Sequence, residues 1–192
     1  KEQAKFWASS YEEKRPELTT AQRKMLSHYD NATLYNDSIV AQIVKRFQKE
    51  DAVVIYVPDH GEECYEEDRG FICRNHSANI DWPLAHYEFE IPFWIYCSPK
   101  YIRNHRDIYR QIRKAKDKRF MTDALPHLLL YLAGIKTPTY KEEYNILSPK
   151  YNEMRPRILK NSADYDQLRD EHLEKVEKEK SKKEKSKKGD KK

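Results

Sequence analysis

Asp51-Ala-Val-Val-Ile-Tyr-Val-Pro-Asp-His-Gly-Glu-Glu63 is the stretch that decides the fold. Residues 52–57 form an unbroken β-branched and aromatic run, too short for a helix and apolar on both sides. A strand of that kind belongs in the middle of a sheet that helices cover on both faces. It stops at Pro58-Asp59-His60-Gly61, a turn sequence. Upstream, residues 32–47 place Leu34, Ile39, Ile43, Val44 and Phe47 on one apolar stripe at helical spacing. Lys45 and Arg46 fall late in that run, and Thr20 is a candidate cap for a helix beginning near Ala21. Downstream, residues 62–88 show no period of either kind and read as a long site-forming loop. Residues 91–97 form a second strand, with Pro92 near its start. Ser98-Pro99 supplies an N-cap and a first-turn proline for a helix to about Lys116. Thr122 or Asp123 caps a further helix over 124–133 that Gly134 ends. Residues 135–160 read as loop with one apolar piece at 144–147. Helix, strand, loop, strand, helix, helix is α/β grammar. Two strong strands do not complete a sheet, so its remainder is expected upstream of Lys1.

Charge narrows the class. Residues 174–192 hold ten Lys against four Glu and Asp190, a surplus of +5 that equals the net charge of the whole chain. Residues 1–173 therefore balance to zero. A basic balance confined to a tail argues against a nucleic-acid-binding domain, in spite of 14 Tyr. The tail suits an anionic lipid surface or plain solvation. From residue 161 onward the pattern is a charged helix dissolving into Lys/Glu/Ser low complexity. The expected division is thus a folded body over 1–160 and a tail over 161–192. No run is long and apolar enough for a membrane span. The chain opens on Lys1 inside a polar segment and reads as a fragment.

Asp59 and His60 are the candidate site, because ligands gather at the carboxyl ends of strands in open α/β sheets. A carboxylate and an imidazole side by side on a turn can reach one cation. A hard oxygen with a borderline nitrogen suits zinc or manganese better than magnesium or calcium. Alone, the tripeptide is weak: a hydrogen-bonded turn with Asp59 capping and His60 exposed is the plainer explanation.

Four blocks in order carry more. Tyr29-Asp-Asn-Ala-Thr-Leu-Tyr-Asn-Asp37, the 51–63 stretch, Glu90-Ile-Pro-Phe-Trp-Ile-Tyr-Cys97 and Phe120-Met-Thr-Asp-Ala-Leu-Pro-His-Leu-Leu-Leu130 resemble the sulfatase-type transferases. Within that group they are most similar to bacterial phosphoethanolamine transferases, over roughly residues 20–135. The resemblance implies the C-terminal portion of a three-layer αβα sandwich of the alkaline-phosphatase/sulfatase type. It implies Asp59 and His60 as zinc ligands, manganese being the alternative, and His76 as a histidine at the phosphoryl group. A further Glu ligand and the Thr nucleophile are expected upstream of this chain. The implied reaction moves phosphoethanolamine from a phospholipid donor to lipid A or core oligosaccharide of lipopolysaccharide through a phospho-Thr intermediate. The parent is expected to be a monomer held in the bacterial inner membrane by upstream helices, its catalytic domain facing the periplasm. A sulfatase or phosphodiesterase-type hydrolase of the same group is an alternative, distinguished by its nucleophile. An inactive fragment or interaction module is another.

The other candidates read more plainly. Glu63 is expected to be solvated surface, while Glu62 stays open as a partner orienting His60. Cys64 and Cys73 admit a disulfide, a pair of buried thiols or a soft-metal site, and Cys97 reads as core. His86 and His127 are expected to be structural. His28, His105 and His172 carry no signal. Tyr29, Asp30, Asn31 and Tyr35 suggest a helix start anchored to the sheet.

Overall fold

The computed structural model describes residues 4–70, 72–74 and 79–189, the side chains at 68 and 183–189 excepted. The chain forms two compact units. One comprises Lys1–Pro58, Glu63–Cys73 and Pro92–Tyr109; the other comprises Asp59–Glu62, Arg74–Ile91 and Arg110–Lys192.

In the first unit, α1 (Thr20–Phe47) begins one residue earlier than its sequence suggests, because Thr19 and not Thr20 is the cap. The Thr19 hydroxyl accepts from the Gln22 N–H, and the Gln22 side chain reaches back to the Thr19 N–H at 2.8 Å, a capping box. Asp30 and Asn31 anchor α1 to the segment before it. Asn31 Oδ1 accepts from the Lys5 and Phe6 N–H groups, while its Nδ2 donates to the carbonyls of Phe6 and Ser27. Tyr11 donates to Asp30. Tyr11, Leu18 and Leu26 then close over Cys64 and Tyr65 in a small core. Tyr11 and Leu18 thus tie the segment before α1 into this core.

β1 (Val53–Tyr56) follows, then β2 (Glu63–Cys64) and β3 (Ile72–Cys73), a short antiparallel pair. The expected strand at 91–97 appears as β4 (Trp94–Cys97). It lies antiparallel to β1, with Val53 opposite Cys97 and Tyr56 opposite Trp94. The rings of that last pair stack at 5.2 Å. Among the described residues β1 pairs with β4 alone, and each of its residues is half-buried.

Ser98 locks β4 to what comes next. Fully buried, its hydroxyl donates to Glu50 O at 2.5 Å and accepts from the N–H groups of Tyr101 and Ala52. That caps α3 (Pro99–Asn104). The helix expected to run to Lys116 breaks at His105 and resumes as α4 (Arg106–Ala115).

The second unit holds α2 (Trp82–Phe89), a helix inside the stretch that reads as loop. Asp81 caps it through the Leu84 N–H at 3.0 Å, and Pro83 occupies its first turn. Later comes α5 (Leu125–Leu132), closed by Gly134 at φ +68°. His127 on that helix accepts from the Lys141 N–H at 3.2 Å and lies against Tyr144, a structural histidine as expected. Instead of loop through 160, β5 (Ile158–Leu159) and β6 (Ala163–Asp164) make a hairpin. Its turn residues Lys160 and Asn161 both take left-handed backbone, as a tight hairpin requires. Asp164 then accepts from the Asp166 and Gln167 N–H groups and caps α6 (Tyr165–Gly189). Ala85, Leu159 and Tyr165 form the core here, with Trp82, Phe89 and Leu168 around it.

Three arginines surround one carboxylate in this unit: Arg119, Arg157 and Arg169 all meet Asp166. Hydrogen bonding from Arg157 holds the Asp166 carboxyl below its ordinary range, and Arg155 does the same for Asp123. A depressed carboxyl stabilises the fold at pH values above the ordinary carboxylate pKa of about 3.9, and that contribution disappears as pH falls through the lower folded value. Stability should therefore be flat from neutral pH down to about 5 and fall at lower pH. Arg157→Met should shrink the acid-dependent part in urea titrations at stepped pH. Separately, Ser98→Ala orphans two N–H groups and should cost about 1–3 kcal/mol in chemical denaturation.

Candidate metal centre

Residues 59–62 connect β1 to β2 and are held by α2. The Gly61 N–H donates to Glu88 O at 2.8 Å. A Cβ on Gly61 would press into the carbonyl oxygen of Tyr87, well inside van der Waals contact. Only glycine allows this backbone-to-backbone approach, and it fixes the turn against the last turn of α2.

Within the turn, Asp59 Oδ1 accepts from the His60 N–H at 3.1 Å. His60 Nδ1 lies 2.8 Å from Gly61 O. A carbonyl oxygen only accepts, so Nδ1 carries the proton, and the lone pair of a neutral ring sits on Nε2. That Nε2 is 3.6 Å from Asp59 Oδ2. The Asp59 side chain is 89% exposed and that of His60 23%. A carboxylate oxygen and an imidazole lone pair thus face one another at the surface.

Among the described residues no group of three or more His, Cys, Asp and Glu side chains converges as a metal site. The pair therefore presents two donors. His76 lies outside the described residues. Glu63, expected at the surface, is buried to 1% and lies 3.0 Å from Arg69 Nε. Cys64 and Cys73 are free thiols. Their register explains it: Glu63 stands opposite Cys73 and Cys64 opposite Ile72, so the two thiols leave opposite faces of the ladder. Cys97 is buried, and burial pushes its thiol up.

Sequence reading passed over α2 and the ring cluster on it. Trp82 stacks with His86 at 5.4 Å and with His172 at 5.3 Å. Glu90, the C-cap of α2, accepts from Tyr165 and lies 3.0 Å from His86 Nδ1. Burial pushes the Glu90 carboxyl up, but donation by Tyr165 and His86 outweighs it and holds the group low. Asp81-Trp-Pro is a cap followed by a first-turn proline, the one local signal that could have revealed this helix.

The sulfatase family model matches residues 3–135. Phosphoethanolamine transferase EptC of Escherichia coli O18:K1:H7 is 31% identical over 161 residues, covering 80% of this chain and 26% of that protein. The Kdo(2)-lipid A phosphoethanolamine 7''-transferase of Escherichia coli K12 is 29% identical over 97 residues, covering 49% of this chain and 16% of that protein. The chain thus spans about a quarter or less of the length of these relatives. A crystal structure of the C-terminal periplasmic domain of EptC from Escherichia coli, in complex with zinc, superposes with a TM-score of 0.63 at 29% identity. It covers 79% of this chain and 42% of that one. The corresponding domain from Campylobacter jejuni, at 23% identity and a TM-score of 0.52, shares the fold. The α/β class expected from the sequence, the C-terminal portion of an alkaline-phosphatase/sulfatase-type fold, agrees with these matches. With its family match spanning most of its length, the chain belongs to the sulfatase family.

Proposed function

We propose that this chain is the C-terminal part of the catalytic domain of a phosphoethanolamine transferase, and that Asp59 and His60 are two ligands of one zinc ion. The observation that carries the reading is the 3.6 Å separation of Asp59 Oδ2 and His60 Nε2, with the other ring nitrogen committed to Gly61 O. Zinc bound tetrahedrally at ordinary bond lengths sets N and O ligands about 3.4 Å apart, so the pair needs little adjustment. A backbone carbonyl on the far nitrogen of a ligating imidazole is also the usual arrangement that fixes tautomer and ring plane. The relatives' activities and the zinc-bound periplasmic domain support the same chemistry. Manganese satisfies the same donors less selectively.

Bound zinc would supply a Lewis acid that neutralises charge on the transferring phosphoryl group. This chain's own residues present the donors: Gly61 O holds the His60 ring with Nε2 outward, and Asp59 adds a carboxylate that solvent reaches freely. His76 is proposed at the phosphoryl group. The Thr nucleophile and remaining ligands are proposed to lie in segments outside this chain. The donor is proposed to be a phospholipid, the acceptor a lipopolysaccharide sugar phosphate, and the setting a monomer anchored in the inner membrane and facing the periplasm. That the relatives matching over the longest stretches are transferases favours transfer over hydrolysis.

In the full-length protein, Asp59→Ala or His60→Ala should remove zinc and transferase activity together. The activity loss should be at least ~100-fold, the upper end of what losing an outer-shell partner alone costs. Bound zinc is measured by elemental analysis and transfer by the modified lipid's mass; full activity in either variant removes the assignment. Gly61→Ala must shift either the turn or the end of α2. It should destabilise by about 1–3 kcal/mol in denaturant titration and weaken zinc binding, with both donors still present.

A further inference from the structure

We infer that the first turns of α6 brace the Asp59/His60 turn through α2, making Trp82, Tyr165 and His172 positioning residues for that site. The inference takes its chemistry from the metal-site reading above, whereas its mechanics stand without it.

Each link has its own contact, and all of them lie in one unit. α2 has eight residues, about 12 Å of helix, and α6 grips it at both ends. At the N-terminal end, His172 stacks on Trp82, which also stacks with His86. At the C-terminal end, the Tyr165 hydroxyl donates to the Glu90 carboxylate. Between them Ala85 is fully buried in the cluster with Leu159 and Tyr165. The outer face of the Tyr165 ring is covered by the Arg157 guanidinium at 4.2 Å. α2 then hands its position to the site. Glu88 O receives the Gly61 N–H, and the Tyr87 carbonyl leaves no room for the turn to approach more closely. Gly61 O in turn orients the His60 ring. A helix end that shifts by a fraction of an ångström therefore rotates the imidazole whose Nε2 faces Asp59.

None of the three side chains touches Asp59 or His60 in any contact described above, so a loss felt at the site has to travel through α2. Trp82 supplies a broad ring that both histidines can cover, and a smaller aromatic keeps part of that contact. Tyr165 combines two functions: its ring fills the core and its hydroxyl fixes Glu90. Burial, then the bond to Glu90, holds the phenol above its ordinary value, so it stays a donor across the physiological range.

The test uses the full-length protein with His172→Ala and Tyr165→Phe, two mild changes, and reads hydrogen exchange at the Gly61 amide beside zinc affinity by competition titration. Gly61 should exchange about tenfold faster and zinc should bind about tenfold more weakly, the size typical of a lost outer-shell partner. Amides of α5 should keep their wild-type rates, and Glu174→Ala, further along α6, should change neither reading. Trp82→Ala should act like the other two, with Trp82→Phe restoring most of the wild-type protection and zinc affinity. Unchanged Gly61 protection in both mild variants overturns the brace, as does an equal acceleration throughout α5, which marks global loosening. Faster Gly61 exchange in a protein that binds no zinc even as wild type upholds the brace and removes the metal assignment instead.

Discussion

The approach of the Gly61 peptide to the last turn of α2 is the constraint from which the site follows. A strand can deliver a turn to the edge of a sheet, but it cannot decide how that turn is rotated. Here the rotation is set by one N–H bond to Glu88 O and by the absence of a side chain where Tyr87 O sits. Gly61 then uses its own carbonyl to select the tautomer and plane of His60. One residue therefore transmits position from a helix to an imidazole without contributing any side-chain atom. A site arranged this way is only as well defined as the helix behind it.

The parts legible in the sequence are those governed by local chemistry. The apolar run of β1, the Ser98-Pro99 start of α3 and the Gly134 stop of α5 need no knowledge of neighbours, and each was readable. The closeness of Asp59 and His60 was readable because adjacent residues on a turn lie near one another by covalent necessity. What local sequence left open or misjudged depended on tertiary partners. Glu63 looks like one of a solvated pair until Arg69 is seen beside it. Cys64 and Cys73 look suitable for a disulfide until their register puts them on opposite faces. His172 sits in a charged helix that nothing local distinguishes from a solvated one, and it has a role only because Trp82 stands beside it. α2 is the exception, a local miss. Asp81 and Pro83 signalled it, but an aromatic-rich stretch without apolar period obscured the signal.

Charge is organised differently in the body and in the tail. Around Asp166, three guanidinium groups share one carboxylate, an arrangement that fixes β5 and the start of α6 by directed hydrogen bonds more than by net attraction. Along the later part of α6, Lys178 and Glu174 form an exposed pair at helical spacing, worth a few tenths of a kcal/mol at most.

The hairpin and first turns of α6 also bear on where this unit ends. The stretch matched by the sulfatase family model ends at residue 135, yet Leu159 and Tyr165 are buried against Ala85, and Leu168 packs beside them. A boundary drawn by family likeness would run through the middle of a hydrophobic cluster, stripping one wall from it. Protein trimmed at that point would present Ala85, Trp82 and Phe89 to water, an apolar face of the sort that makes shortened domains aggregate.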